Sequence, residues 1–156
     1  MSLGVWEWAN AAYARPRVEA LCLELQDQHG HCVSYLLWAA WAACEGRALD
    51  EASLSEAVSL ARDWEAKAIR PLRLARRALK APRPGIDAEG QAVLREQIKA
   101  QELIAERLLL DALEKRAPPL AHPPRDMAAA LGEAARAWGP APLALIVALS
   151  DAFSAA

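Results

Sequence analysis

The chain has 156 residues, 54% of them hydrophobic and 24% charged, and a net charge of −2. That length suits one domain with its own core, and the near-neutral balance gives no general pull toward nucleic acid or an anionic membrane. Ala and Leu dominate, Thr is absent and the Cys count is odd, so composition favours helix over sheet and a reducing, cytoplasmic setting over secretion.

Taken in chain order, Val5 to Ala14 reads as a short helix carrying Trp6 and Trp8, which sit two apart and cannot share a face. Arg15-Pro16 breaks it, and Pro16 suits the first position of a second helix, where its missing N–H is not needed. Val18, Leu21, Cys22 and Leu25 recur at helical spacing, and Gly30 is the expected stop. The third helix, His31 to Glu45, is apolar nearly all round and therefore central, with Gly46 ending it. Ser34 is a candidate cap at its start.

Ser53-Leu54-Ser55-Glu56 matches a capping box. The helix it opens carries Leu54, Val58, Ala61, Ala68, Leu72, Ala75 and Leu79 in one stripe, and Pro71 predicts a kink or break near Arg70. Residues 81–85 are a loop. Asp87 is placed to cap a helix running to about Arg116, with Leu94, Ile98, Ala105, Leu109 and Ala112 facing inward. The prolines of 117–124 forbid regular structure, and short helices over Asp126 to Trp138 and Pro142 to Phe153 follow. The expected fold class is all-α: a single-domain antiparallel helical bundle over 1–116, a Pro-rich linker over 117–125 and a C-terminal helical segment over 126–156. No apolar run approaches the ~20 residues that span a bilayer, and no signal-peptide pattern opens the chain.

Cys22, His29, His31 and Cys32 are metal-ligand types in poor order, with no Cys-x-x-Cys and no His pair three to five apart. They read as core and turn. Cys32 lies near a helix N-terminus that could lower its pKa, but no orienting Asn or Asp and no oxyanion-hole glycines accompany it. Cys44 reads as a small apolar filler. Phosphate-cradling loops, His-Glu-x-x-His and paired-carboxylate motifs are missing, so no catalytic residue, metal or cofactor is assigned.

The sharper feature is Lys67 to Lys80, a basic amphipathic run with Lys67, Arg70, Arg73, Arg76, Arg77 and Lys80 and no acid. Either the acids Glu102, Glu106, Asp111 and Glu114 of the next helix answer it, or it docks an acidic protein partner or a phosphate-bearing ligand. The leading reading is a non-enzymatic interaction module that docks through this face. The alternative is a polar pocket, possibly enzymatic, in which Gln26, Asp27 and His29 join Arg70 and Arg73 around an anionic small molecule or cofactor.

Tyr13-Ala-Arg-Pro16, Leu23-x-Leu25-Gln26-Asp27-x-His29-Gly30, Leu36-Leu37, Trp41, Trp64 and Pro71-Leu72-Arg73-x-x-Arg76-Arg77-x-Leu79-Lys80 follow one another with specific spacing. Over about residues 5–115 this string resembles a family of small uncharacterised bacterial all-helical proteins. The resemblance implies an all-helical fold and no particular activity. The family pattern has Asp-Val-Asn after the glycine turn, where this chain has Cys32-Val33-Ser34, so the His/Cys group departs from it.

Overall fold

The structure, a computed structural model, describes residues 3–120 and 123–155. Its helices are α1 (Val5–Tyr13), α2 (Val18–His29), α3 (Val33–Glu45), α4 (Glu51–Trp64), a π turn (Glu65–Ile69), α5 (Arg70–Ala78), α6 (Ala88–Arg116), α7 (Met127–Trp138) and α8 (Leu143–Ser154). There is no strand among the described residues, and no helix is long and apolar enough to cross a membrane. The fold is all-α.

α3 is the centre, as its all-round apolar surface demands. Every residue from Ser34 to Ala43 is buried, and α1, α2, α4, α6 and α7 pack around it. α8 closes the molecule against α7 and α2. Leu131, Trp138, Leu149 and Phe153 of the C-terminal helices belong to the same core cluster as Trp38 and Trp41. The bends before and after α3 are set by Gly30 and Gly46, both left-handed at φ 67° and 74°. Only glycine adopts that conformation at no steric cost.

Several helix boundaries differ from expectation, each for a local reason. Pro16 does not open α2. It occupies the second position of a turn closed by the Val18 N–H on the Arg15 carbonyl, with Arg17 at φ 73° and ψ −18°. That is type II turn geometry, in which proline presets the first corner. α4 is capped by Asp50, whose carboxylate accepts the Ser53 N–H at 2.8 Å, so the Ser53 capping box is not used. α3 has Cys32 at its N-cap and no side-chain cap, so Ser34 does not play that part. Asp87 caps α6 by accepting the Gly90 N–H at 2.7 Å, as anticipated. Cys44 is exposed and fills nothing.

Pro71 produces a π turn instead of a break. Its ring crowds the carbonyl four residues back and it offers no N–H. The chain widens over Glu65–Ile69 and resumes as α5. The inward face of α6 is also rotated from the apolar expectation. Gln91, Glu102, Ala105, Leu109, Leu110 and Leu113 are buried, while Leu94 is 48% exposed.

Candidate functional site

The π turn sets the register of the basic run. Eight residues of regular α-helix would leave Glu65 and Arg73 roughly 80° apart around the axis. The wider turn underwinds the chain and brings them onto one face, where Arg73 Nη1 donates to Glu65 Oε1 at 3.0 Å. Arg73 Nε also lies 3.4 Å from Glu102 Oε1 on α6. Arg76 grips the same carboxylate in two places, at 2.5 Å from Nε and 3.3 Å from Nη2. This hydrogen-bonded pairing raises the Arg76 pKa further. Glu65, Arg73 and Glu102 are all buried.

The outer members of the run differ. Arg77 Nη2 bonds Asp27 Oδ1 at 3.0 Å on the surface, and Lys67 Nζ meets Asp63 at 2.6 Å. Desolvation raises the Asp27 carboxyl, but hydrogen bonds from Arg77 and Gln26 and the charges of Arg77 and Arg73 together outweigh it and hold the group below its ordinary range. Arg70 and Lys80 are exposed and make no ion pair among the described residues.

Above this ion-pair cluster opens a cleft of about 690 Å³ between α1, α2, α3, α5 and α6. Its α6 wall runs from Glu96 to Leu110, roughly 20 Å of helix. At the α5 end it is lined by Gln26, Asp27, Arg73, Arg76, Arg77 and Glu102. Trp6 marks the other end: the Arg107 guanidinium stacks 5.2 Å over its ring, and the Val5 N–H bonds Glu114 Oε1 at 3.1 Å. Leu37, Leu103 and Leu110 make much of the wall between.

Glu106 lines the same cleft one helical turn beyond Glu102. Burial, and then the Glu102 carboxylate beside it, push the Glu106 carboxyl up to about 7. Among the described residues it has no ion-pair partner. The surrounding charges balance without it: Arg73, Arg76 and Arg77 answer Glu65, Glu102 and Asp27. A half-desolvated carboxyl that exchanges its proton near neutral pH, facing a cleft, is a candidate contact for a ligand.

Of the pocket expected from sequence, the structure brings Gln26, Asp27 and Arg73 together and adds Arg76 and Arg77. His29 and Arg70 are exposed and line no part of it. Glu106 was named in the sequence only as a possible mate for the basic run. The better signal was its spacing: Glu102 and Glu106 stack two like charges one turn apart beside the buried Ala105, Leu109 and Leu113.

In the His/Cys turn His31 and Cys32 are buried, with Cys22 buried beside them on α2, while His29 is exposed, and the buried His31 Nδ1 has no hydrogen-bond partner among the described residues. His31 is 2% exposed and its Nε2 donates to the Pro140 carbonyl at 3.0 Å. Burial lowers its pKa, keeping the ring neutral. Burial pushes the Cys22 and Cys32 thiols up to about 12, which removes them as nucleophiles at neutral pH. Trp138 reaches across from α7, donating its Nε1 proton to the Gly30 carbonyl at 2.8 Å. No group of three or more metal-ligating side chains forms among the described residues.

No curated protein and no solved structure matches this chain significantly. A family model does: it spans residues 4–113, which takes in α1 to α6 up to Leu113 and with them every residue that lines the cleft. The chain therefore belongs to the DUF2390 family, a family described as protein of unknown function.

Proposed function

We propose that this chain is a small-molecule-binding domain whose cleft takes an organic amine with an apolar body. Glu106 carries the proposal, as the one carboxyl of the buried cluster left without a cation among the described residues. An unpaired carboxylate in such a place keeps a proton or acquires a positive partner. An ammonium group seated against it completes the charge balance, and the Trp6, Leu37, Leu103 and Leu110 walls receive the apolar part. The volume lies within the ~300–1,000 Å³ usual for ligand sites.

An anionic ligand would have to compete with Asp27 and Glu102 for the cleft's arginines, and only the exposed Lys99 lines the cleft without an ion pair among the described residues. Docking of an acidic protein through the basic helix would have to rely on Lys67, Arg70, Arg77 and Lys80, the exposed members that no buried carboxylate holds.

Titration with alkylamines and arylamines, each matched to its carboxylic acid counterpart, separates these readings. By calorimetry at pH 6 and pH 8, amines should bind and their acids should not. Binding should tighten at pH 8, where Glu106 ionises, and Glu106→Gln should weaken it by about tenfold or more. Preference for the carboxylic acids, or amine binding unmoved by Glu106→Gln, overturns the proposal.

A further inference from the structure

α6 presents an apolar stripe to solvent as well as to the core. Val93, Ile104 and Leu108 are 58%, 52% and 52% exposed, and with Gln97 and Ala100 they recur at steps of three and four along the outer face. A helix in a lone globular protein keeps that face polar. Toward its N-terminal half the stripe is dented. Val93, Glu96, Gln97 and Ala100, with Ala92 at the rim, line a shallow apolar depression on the surface of the helix. Those four residues stand at i, i+3, i+4 and i+7, the arrangement of a hole that receives one side chain of a facing helix.

We infer that the outer face of α6 is a self-docking surface, on which α6 of a second copy of this chain lies antiparallel across a two-fold axis at the level of Glu102. The helix carries its own complement. With the axis there, position n of one copy faces position 204 − n of the other. Leu108 then stands over the centre of the depression, and Ile104 stands over Ala100, whose small side chain permits close approach. The charges agree with the same axis. Glu89 faces Lys115 of the second copy directly, and Arg107 falls one residue from the position opposite Glu96, a rise of about 1.5 Å that a long side chain spans, each interaction occurring twice by symmetry. All four side chains are exposed; Glu96 is otherwise 3.6 Å from Arg95, and Arg107 lies over Trp6. An unrelated partner would need no such match between the two halves of one helix. One helix face is small beside the ~800 Å² per partner of a standard interface, so a weak dimer with a dissociation constant of roughly micromolar order is expected.

Sedimentation velocity on the full chain over a range of concentrations tests this, with helix content and melting temperature followed in parallel. Wild type should pass from monomer to dimer as concentration rises. Leu108→Glu should raise the dissociation constant by about tenfold or more. Glu96→Arg and Arg107→Glu should each weaken the dimer, and the two together in one chain should restore it to within about twofold, because each exchanged pair re-forms across the axis. Wild type that stays monomeric throughout overturns the inference. So does a dimer indifferent to Leu108→Glu, or a charge exchange in folded protein that fails to restore association.

Discussion

The two polar clusters of this molecule look alike in sequence and differ in what they lack. The His29–Cys32 turn gathers two histidines and a cysteine where two helices meet, and the structure ties it down: the Pro140 carbonyl accepts a hydrogen bond from His31 Nε2, Trp138 donates to the Gly30 carbonyl, and burial keeps the Cys32 thiol and that of nearby Cys22 protonated, with only the buried His31 Nδ1 left without a partner among the described residues. The cluster between α5 and α6 also pairs its charges inward, yet it leaves Glu106 unanswered and a cleft open beside it. Polarity does not separate a site from a joint. The separation lies in whether a carboxyl is left without a cation beside an open cleft.

The largest way to break this contrast is to unpair the second cluster. Arg73→Ala removes the group that holds both Glu65 and Glu102, leaving Glu65 buried with no cation. Denaturant unfolding should show a loss of about 3–5 kcal/mol. Replacing Arg73 and Glu65 together by leucine should recover most of that loss, because the expense lies in the stranded charge more than in the missing bond. A loss under about 1 kcal/mol for Arg73→Ala would mean that these groups are solvated like a surface pair.

Glu106 sharpens the contrast through pH. Its carboxyl titrates near 7 in the fold, against an ordinary value of 4.5. Between those values the native state holds a proton that the unfolded chain has released, so stability falls as pH rises through this window and levels off above it. The full cost is roughly 3 kcal/mol, from about 1.4 kcal/mol per pH unit of displacement. Glu106→Gln should flatten the dependence of stability on pH between about 5 and 8 and raise the melting temperature at pH 8. His31 acts with the opposite slope. Its depressed pKa means that stability is lost as pH falls through its unfolded value of 6.5, where the unfolded ring takes up a proton that the buried ring refuses. The two slopes are told apart because Glu106→Gln removes only one of them.

What the sequence disclosed about these clusters follows from what is local. The Ala- and Leu-rich periodicity, the glycine stops after His29 and Glu45 and the Asp87 cap are short-range signals, and the helices stand where those signals place them. The central position of α3 followed from its lack of a polar face. The partners of the basic run were not legible residue by residue. Glu102 was one of four acids on the right helix, and only the underwinding at Glu65–Ile69 turns Arg73 toward it. A π turn has no local periodicity of its own in the sequence. The rotation of α6 escaped for a related reason. A buried Glu102 satisfied by two arginines behaves as core, so Leu94 stays out in solvent, contrary to a purely apolar count.

The smallest of the three effects tests the closed cluster by its backbone alone. Gly30 sits at φ 67°, and a Cβ built on it would find nothing within 4 Å. A side chain there meets no steric wall, so any penalty comes from the left-handed conformation itself. The turn cannot relax cheaply: the His31 N–H is tied to the Leu25 carbonyl at 3.1 Å, and the Gly30 carbonyl receives Trp138 Nε1 at 2.8 Å. Gly30→Val should therefore lower stability by about 1–3 kcal/mol, since a β-branched residue suffers most at positive φ. Gly30→Asn should lose visibly less, because asparagine tolerates this region. Amine binding in the cleft should be unchanged in both, as Gly30 lines no part of it. Equal melting temperatures for valine, asparagine and wild type would show that the turn is free to rearrange. The closed cluster would then owe its closure to the Trp138 and Pro140 contacts alone.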